Sequence, residues 1–162
     1  MQWQKAGVAG LVGATTVTLV LALFRLLGLA PNLEMLVGSL ISGDLEAGSW
    51  FLGFFVHLVA GALFALGYAA IFEHVAHRAD PRTGVWIGSV HAVLAGFAFA
   101  LAPAVHPLIP EVLAAPGAFL SGSGPVGIAT FVGGHLLYGA VVGALYRPVK
   151  LEHRRAARTQ AA

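Results

Sequence analysis

The sequence predicts an all-α integral membrane protein built as a four-helix up-down bundle. Four apolar runs, at residues 6–29, 50–72, 84–102 and 125–146, each approach the roughly 20 residues needed to cross a hydrocarbon core. Only 10% of the residues are charged, and the mean hydropathy is +0.84. Ordinary soluble domains carry about 25% charged residues, so this chain lacks the polar groups to coat a water-soluble globule. The third observation is a stripe of small residues on otherwise bulky helices. His57, Gly61, Ala65 and Tyr68 form one such stripe, and His135, Gly139, Gly143 and Tyr146 repeat it. In lipid, a narrow stripe is the face that meets other helices.

The first run is broken only by Arg25. It is roughly 24 residues long, against about 7–15 for the apolar region of a secretory signal, and Pro31 follows the one plausible cleavage site. It is therefore expected to stay as the first span. Arg25 lies about one turn from the end of that span. It either snorkels to the headgroups or pairs with Glu34, Asp44, Glu46 or Glu111. In the loop that follows, Asn32 is expected to cap a short helix over Leu33–Ile41.

The second run carries His57 and ends in Glu73-His74-x-x-His77. His74 and His77 lie one turn apart and form a candidate metal pair with His153 as a third ligand. The alternative is a solvated helix end, with imidazoles near the negative end of the dipole. The third run carries Gly84, Gly88, His91 and Ala95 on one face. The loop after it contains Pro110 and Glu111, which are expected to start a short helix over Val112–Ala115. His106, alone among prolines, is expected in the headgroup layer. Ser121-Gly122-Ser123-Gly124 reads as a flexible joint before the fourth run. Residues 1–147 thus form the four-span domain, and residues 148–162 a basic cytoplasmic tail.

Loop charge orients the spans. Lys5, Arg78, Arg82, Arg147, Lys150, Arg154, Arg155 and Arg158 flank one side of the four runs, while the other two loops carry Glu34, Asp44, Glu46 and Glu111 without Lys or Arg. The expected arrangement is multi-pass in the inner membrane with both termini cytoplasmic. The net charge of +2 lies beside the apolar runs rather than on a basic face, so nucleic acid is not an expected partner. Without cysteine, disulfides, thiolate metal sites and iron–sulfur clusters are excluded. The expected partners are the lipid bilayer and a homo-oligomer or larger membrane complex, because small-xxx-small motifs serve both kinds of contact.

The chain also reads as a tandem repeat of one helical hairpin. Leu29-Ala30-Pro31 matches Leu101-Ala102-Pro103, Glu34-Met35-Leu36 matches Glu111-Val112-Leu113, and the His-Leu-x-x-Gly-Ala stripe recurs. Such a repeat implies a pseudo-twofold axis along the membrane normal.

Chemistry concentrates at His57, His91 and His135. Counted at about 1.5 Å per residue, all three fall within roughly 12–18 Å of the same membrane face. An ionisable group inside a span is a candidate functional residue. Four readings of this layer stand. The imidazoles add packing specificity, they hold a small ligand or metal, they relay protons or ions, or His57 and His135 ligate one haem b. In the haem reading, Gly61 and Gly139 leave room for a flat macrocycle, an arrangement that resembles the bis-histidine sites of membrane b-type cytochromes. The positions for a second pair hold Ala70 or Ile71 and Val149, so at most one haem fits, and His91 then has no role. No nucleophile–base pair, phosphate loop or carboxylate dyad supports an enzyme. Gly134-His135-Leu136-Leu137-Tyr138-Gly139 and His57-Leu58-x-x-Gly61 resemble segments of small bacterial inner-membrane proteins of the YagU type and related four-helix families. That resemblance implies the fold, the membrane and a loose association with acid or stress tolerance, and no chemistry. The leading expectation is a non-enzymatic membrane protein, acting as an accessory subunit or a small-ligand binder through its midplane histidines.

Overall fold

The computed structural model describes residues 1–147. Four long helices carry the fold: α1 (Trp3–Leu26), α3 (Ala47–His74), α4 (Pro81–Ala100) and α6 (Gly124–Leu145). Each belongs to a stretch long and apolar enough to cross a membrane. A shorter helix, α2 (Leu33–Ser42), follows α1. The four-residue α5 (Ala102–Val105) and a 3-10 segment (Ala118–Ser123) lie between α4 and α6.

Local chemistry sets the helix ends. Gly28 takes φ 72°, which lets Leu29 N–H reach the Phe24 carbonyl at 2.8 Å and Gly28 N–H reach that of Arg25 at 2.9 Å. This six-to-one and five-to-two pair closes α1. Asn32 Oδ1 accepts from Met35 N–H at 3.1 Å, so α2 starts where the sequence puts it. Asp80 Oδ1 does the same for Thr83 N–H at 2.9 Å, and Pro81 opens α4. The Asp80 carboxyl sits below its ordinary range. Partial burial pushes it up, but the Arg78 guanidinium and the two Thr83 donors outweigh that.

The packing inverts the pattern of a soluble protein. On α1 the buried face is Ala6, Ala9, Gly10, Gly13, Ala14, Val17, Thr18 and Leu21, while Leu19, Leu23 and Leu26 point outward. Large apolar side chains such as Phe51, Phe55, Leu63, Val90, Leu94 and Phe97 also face out. Lipid is the solvent that makes this arrangement stable, and small inward residues let backbones approach. Trp3 and Trp86 are exposed near the end that holds the N-terminus and Tyr146, and Trp50 lies near the opposite, loop end. Tryptophans favour these two interfacial levels.

The helices follow an antiparallel up-down circuit. α1 packs along α3, α4 along α6, and α1 along α6, whereas the α3 and α4 backbones stay largely apart and meet through the Phe64, Tyr68 and His91 side chains. In the first hairpin Gly61 lies against Ala14 and Gly10 against Gly61 and Ala65, and Thr18 meets His57 one turn further on. In the second, Gly84 lies against Gly139, Gly88 against His135, and Asp80 against Gly143. Both pairs hold a constant register, four residues up one helix for four down the other. Each backbone approach leaves no room for a Cβ on the glycines involved.

The two loop-end connections are not copies of each other. The first carries the ten-residue α2, whose Gly38 and Glu34 backbones press onto Ser49 and Gly53 of α3. The helix expected over Val112–Ala115 does not form. Pro116 disfavours helical backbone at Ala115, and Val112 and Leu113 N–H both turn back to the Leu108 carbonyl, at 2.9 and 2.8 Å. Ser121–Gly124, expected as a free joint, is wound into the 3-10 segment and the start of α6. There Phe119 (φ 56°) and Leu120 (φ 58°) hold left-handed backbone. Packing against Gly96 and Phe131 holds the Phe119 ring, and Leu120 is buried.

His106, expected alone among prolines, is enclosed by protein at the loop end. It is 5% exposed, and it clips the second connection to α2. Its Nε2–H donates to the Leu36 carbonyl at 3.0 Å, with Ser39 Oγ at 3.3 Å, while Leu108 N–H donates to Nδ1 at 3.2 Å. At the terminal end, Tyr146 OH donates to Glu73 Oε1 at 2.5 Å and accepts from Gln2 N–H at 3.2 Å. Glu73 Oε2 also lies 3.4 Å from the Met1 amine.

Candidate functional site

The middle of the bundle gathers the three intramembrane histidines with two tyrosines. α4 supplies His91 on the face that contains Gly84, Gly88 and Ala92, all buried against neighbours. α6 supplies His135 and Tyr138, one turn apart, and α3 supplies His57, Phe64 and Tyr68. The His91 and His135 rings meet edge to face, with centroids 4.8 Å apart at 89°. Tyr68 OH lies 3.2 Å from His91 Nδ1. Phe64 packs on the other side of the His91 ring at 4.3 Å, and Phe131 packs on His135 at 4.4 Å. The Tyr68 and Tyr138 rings are perpendicular at 5.4 Å, and Tyr138 OH donates across the bundle to the Gly61 carbonyl.

A common pattern fixes each imidazole by the same nitrogen. His135 Nδ1–H donates to the Phe131 carbonyl at 2.8 Å, which leaves Nε2 with its lone pair free to accept. His57 Nδ1 is bonded to Thr18 Oγ1 at 3.1 Å, and His91 Nδ1 to Tyr68 OH. This is the geometry in which one ring nitrogen is anchored and the other is presented to a ligand. His57 stands within electrostatic range of His135 and, toward the loop end, of Glu34. The structure therefore brings His91 and His135 into contact, while His57 is tied to Thr18 of α1.

The two glycines serve differently from the sequence expectation. Gly61 is filled by Ala14 and the Gly10 carbonyl, and Gly139 by the Gly84 backbone. Neither opens a slot for a macrocycle. They are the contacts that hold the hairpins closed.

Sequence reasoning left four partners unassigned. Tyr68 lies on a stripe read only as packing, Thr18 lies on the buried face of α1, and Tyr138 sits one turn from His135 on its inner side. Arg25 is the fourth. Of its two alternatives it takes the pairing, with Nη1 2.7 Å from Glu34 Oε2 and 3.3 Å from Asn32 Oδ1. Glu34 is fully buried, which its position in a loop-end helix does not advertise.

At the terminal end, His74 and His77 are exposed. His77 Nδ1–H donates to the Glu73 carbonyl at 3.0 Å and so satisfies the end of α3. His153, the third candidate ligand, lies outside the described residues. Among the described residues no three histidine, aspartate or glutamate side chains converge as a metal site.

No protein-family model, curated protein or solved structure matches this chain.

Proposed function

We propose that this chain is a small multi-pass protein of the inner membrane that binds a small ligand through its midplane imidazoles, either alone or as an accessory subunit of a larger complex. The observation that carries the reading is the shared anchoring of His57, His91 and His135 through Nδ1, with no bond to Nε2 of any of the three among the described residues. Structural histidines that merely fill a core spend both nitrogens, as His106 does. Positive-inside charge gives the orientation, with both termini cytoplasmic. The YagU-type resemblance is compatible with the same membrane and layout.

The test is ring-nitrogen NMR of the full chain in lipid nanodiscs, with Zn²⁺ and imidazole-binding organic probes added. Shifts at all three Nε2 positions that vanish in His135→Ala support the reading. Unchanged rings under every probe, with unchanged stability in His135→Ala and His91→Ala, sink it.

A single haem b on His57 and His135 is the second reading. It draws support from the same Nδ1 anchoring, which is how axial histidines are oriented. The filled glycine faces weigh against it. A Soret band in the detergent-purified protein, lost in His57→Ala, would select this reading. A colourless protein after haem reconstitution would end it.

A further inference from the structure

The three intramembrane histidines are each only half-buried, although the layers on either side of them are closed. Toward the terminal end the layer is capped by Tyr68, Tyr138, Phe72 and Val142, which pack together and are all buried. Toward the loop end it is capped by Phe131 packed with Leu120, by Leu21, and by Glu34 seated on Gly53, again all buried. Side chains sealed above and below owe their remaining exposure to an opening at the side of the bundle.

Three of the four lateral seams are filled. Gly10 against Gly61 and Ala65 closes α1–α3, and Gly84 against Gly139 closes α4–α6. α1 and α6 meet where Gly13 lies on Tyr138 and Gly134 on Val17, and the apolar groove of about 580 Å³ between them has no histidine in its lining. The fourth seam, α3–α4, has no such backbone approach. His57 shares its stripe of α3 with Phe64 and Tyr68, at i, i+7 and i+11, and the latter two meet His91 across this seam. Tyr68 is buried and bonded to His91 Nδ1, so it holds the ring. Phe64 covers it. Its ring lies 4.3 Å from that of His91, yet the residue is 52% exposed. A phenyl group with half its surface bare and no hydrogen bond changes rotamer readily, on the picosecond-to-nanosecond scale of exposed side chains. Its neighbour Leu63, and Val90 and Leu94 beside His91, are exposed apolar side chains, so the medium outside this seam is hydrocarbon.

We propose that the α3–α4 seam is a lateral entrance from the bilayer to the His91–His135 pair, with the Phe64 ring as its gate. The ligand is therefore a molecule dissolved in the hydrocarbon core, not one delivered from water at either end. The proposal rests on the reading of the histidine layer as a ligand site, and it adds the route, the gate and the phase the ligand comes from.

The test follows the ring signals of the full chain in lipid nanodiscs under two relaxation agents and one ligand probe. Molecular oxygen concentrates in hydrocarbon, whereas a nickel chelate stays in water. Oxygen is expected to broaden the His91 and His135 signals and the chelate to leave them unchanged. The ligand probe is 4-octylphenol, a lipid-dissolved donor suited to His135 Nε2, which has only a lone pair to offer because Nδ1 carries the proton. Phe64→Ala is expected to raise both the oxygen effect and the association rate of 4-octylphenol by about threefold or more, and Phe64→Trp to lower both by a similar factor. A half-exposed side chain tolerates both substitutions. Gly133→Leu, which fills the α1–α6 groove, is expected to change neither, and an effect there moves the entrance to that groove and overturns the assignment. Broadening by the chelate ahead of oxygen, or equal behaviour of the two Phe64 variants, also overturns it. So does silence of the rings under both agents, as a second copy seated over the seam would produce. Oxygen access that follows Phe64 without any binding of 4-octylphenol keeps the entrance and overturns the ligand reading. Binding at rates indifferent to Phe64 keeps the ligand reading and overturns the entrance alone.

Discussion

The two hairpins place the same stripe against different partners, and that difference accounts for the site. In α3, His57, Gly61 and Ala65 face Thr18, Ala14 and Gly10 of α1. In α6, His135, Gly139 and Gly143 face Gly88, Gly84 and the Asp80 backbone of α4 in the same register. Where α1 offers a threonine, His57 is tied across the helix pair. Where α4 offers a glycine, His135 has no side chain to meet, so it bonds its own helix and turns its ring edge toward His91. One substitution within a shared frame thus separates an anchored imidazole from a paired one. The glycine-on-glycine contact of the second hairpin is also closer to pure backbone than the glycine-on-alanine contact of the first.

The largest expected effect tests that closeness. Gly139→Ala drives a Cβ into the Gly84 carbonyl, whereas Gly61→Ala meets mainly the Ala14 methyl. Overpacking costs about 1–3 kcal/mol, and Gly139→Ala is expected at the upper end and Gly61→Ala at the lower, in denaturant titrations of reconstituted protein. Equal losses would show that the two seams are equivalent after all. His106→Ala comes next, because it removes the clip between the second connection and α2 and leaves the Leu108 N–H without its side-chain acceptor. A loss of about 1–3 kcal/mol is expected, together with faster amide exchange over residues 106–113 but not over α1. Asp80→Ala removes the cap that starts the second hairpin, at about 1 kcal/mol. The Asp80 carboxyl is held below its unfolded value of about 3.9. Its contribution is therefore complete above that pH and is lost as pH falls through the lower folded value. A stability profile taken from pH 5 down to 2 should lose this acid limb in Asp80→Ala and keep it in Gly61→Ala. The smallest effect is that of Thr18→Ala, about 0.6 kcal/mol for one interhelical bond in lipid. Its sharper readout is the His57 ring, which should gain the mobility that Thr18 now denies it.

Much of this architecture was legible because it depends on short-range patterns. Apolar length marked the four spans to within a few residues, small residues marked their inner faces, and Asn32 marked the start of α2. The shared level of His91 and His135 was legible from helical rise. Which imidazoles would touch was not, because that depends on helix rotation and on Gly88 having no side chain opposite His135. The burial of Glu34 was likewise out of reach. Its sequence neighbours describe an interfacial helix, and only the fit of Gly38 and Gly53 brings α2 down onto α3. The matched tripeptides Glu34-Met35-Leu36 and Glu111-Val112-Leu113 misled for the same reason. The first is held by a long-range glycine contact, whereas the second sits among prolines with its glutamate exposed.

The separation of the α3 and α4 backbones, which only side chains bridge, bears on how the polypeptide is made. The closest backbone approaches within each half lie between helices adjacent in the chain, so the first pair can zip together while the ribosome is still translating the second. Delivery into the bilayer then proceeds in two prefabricated units, with the α1–α6 interface as the final joining step.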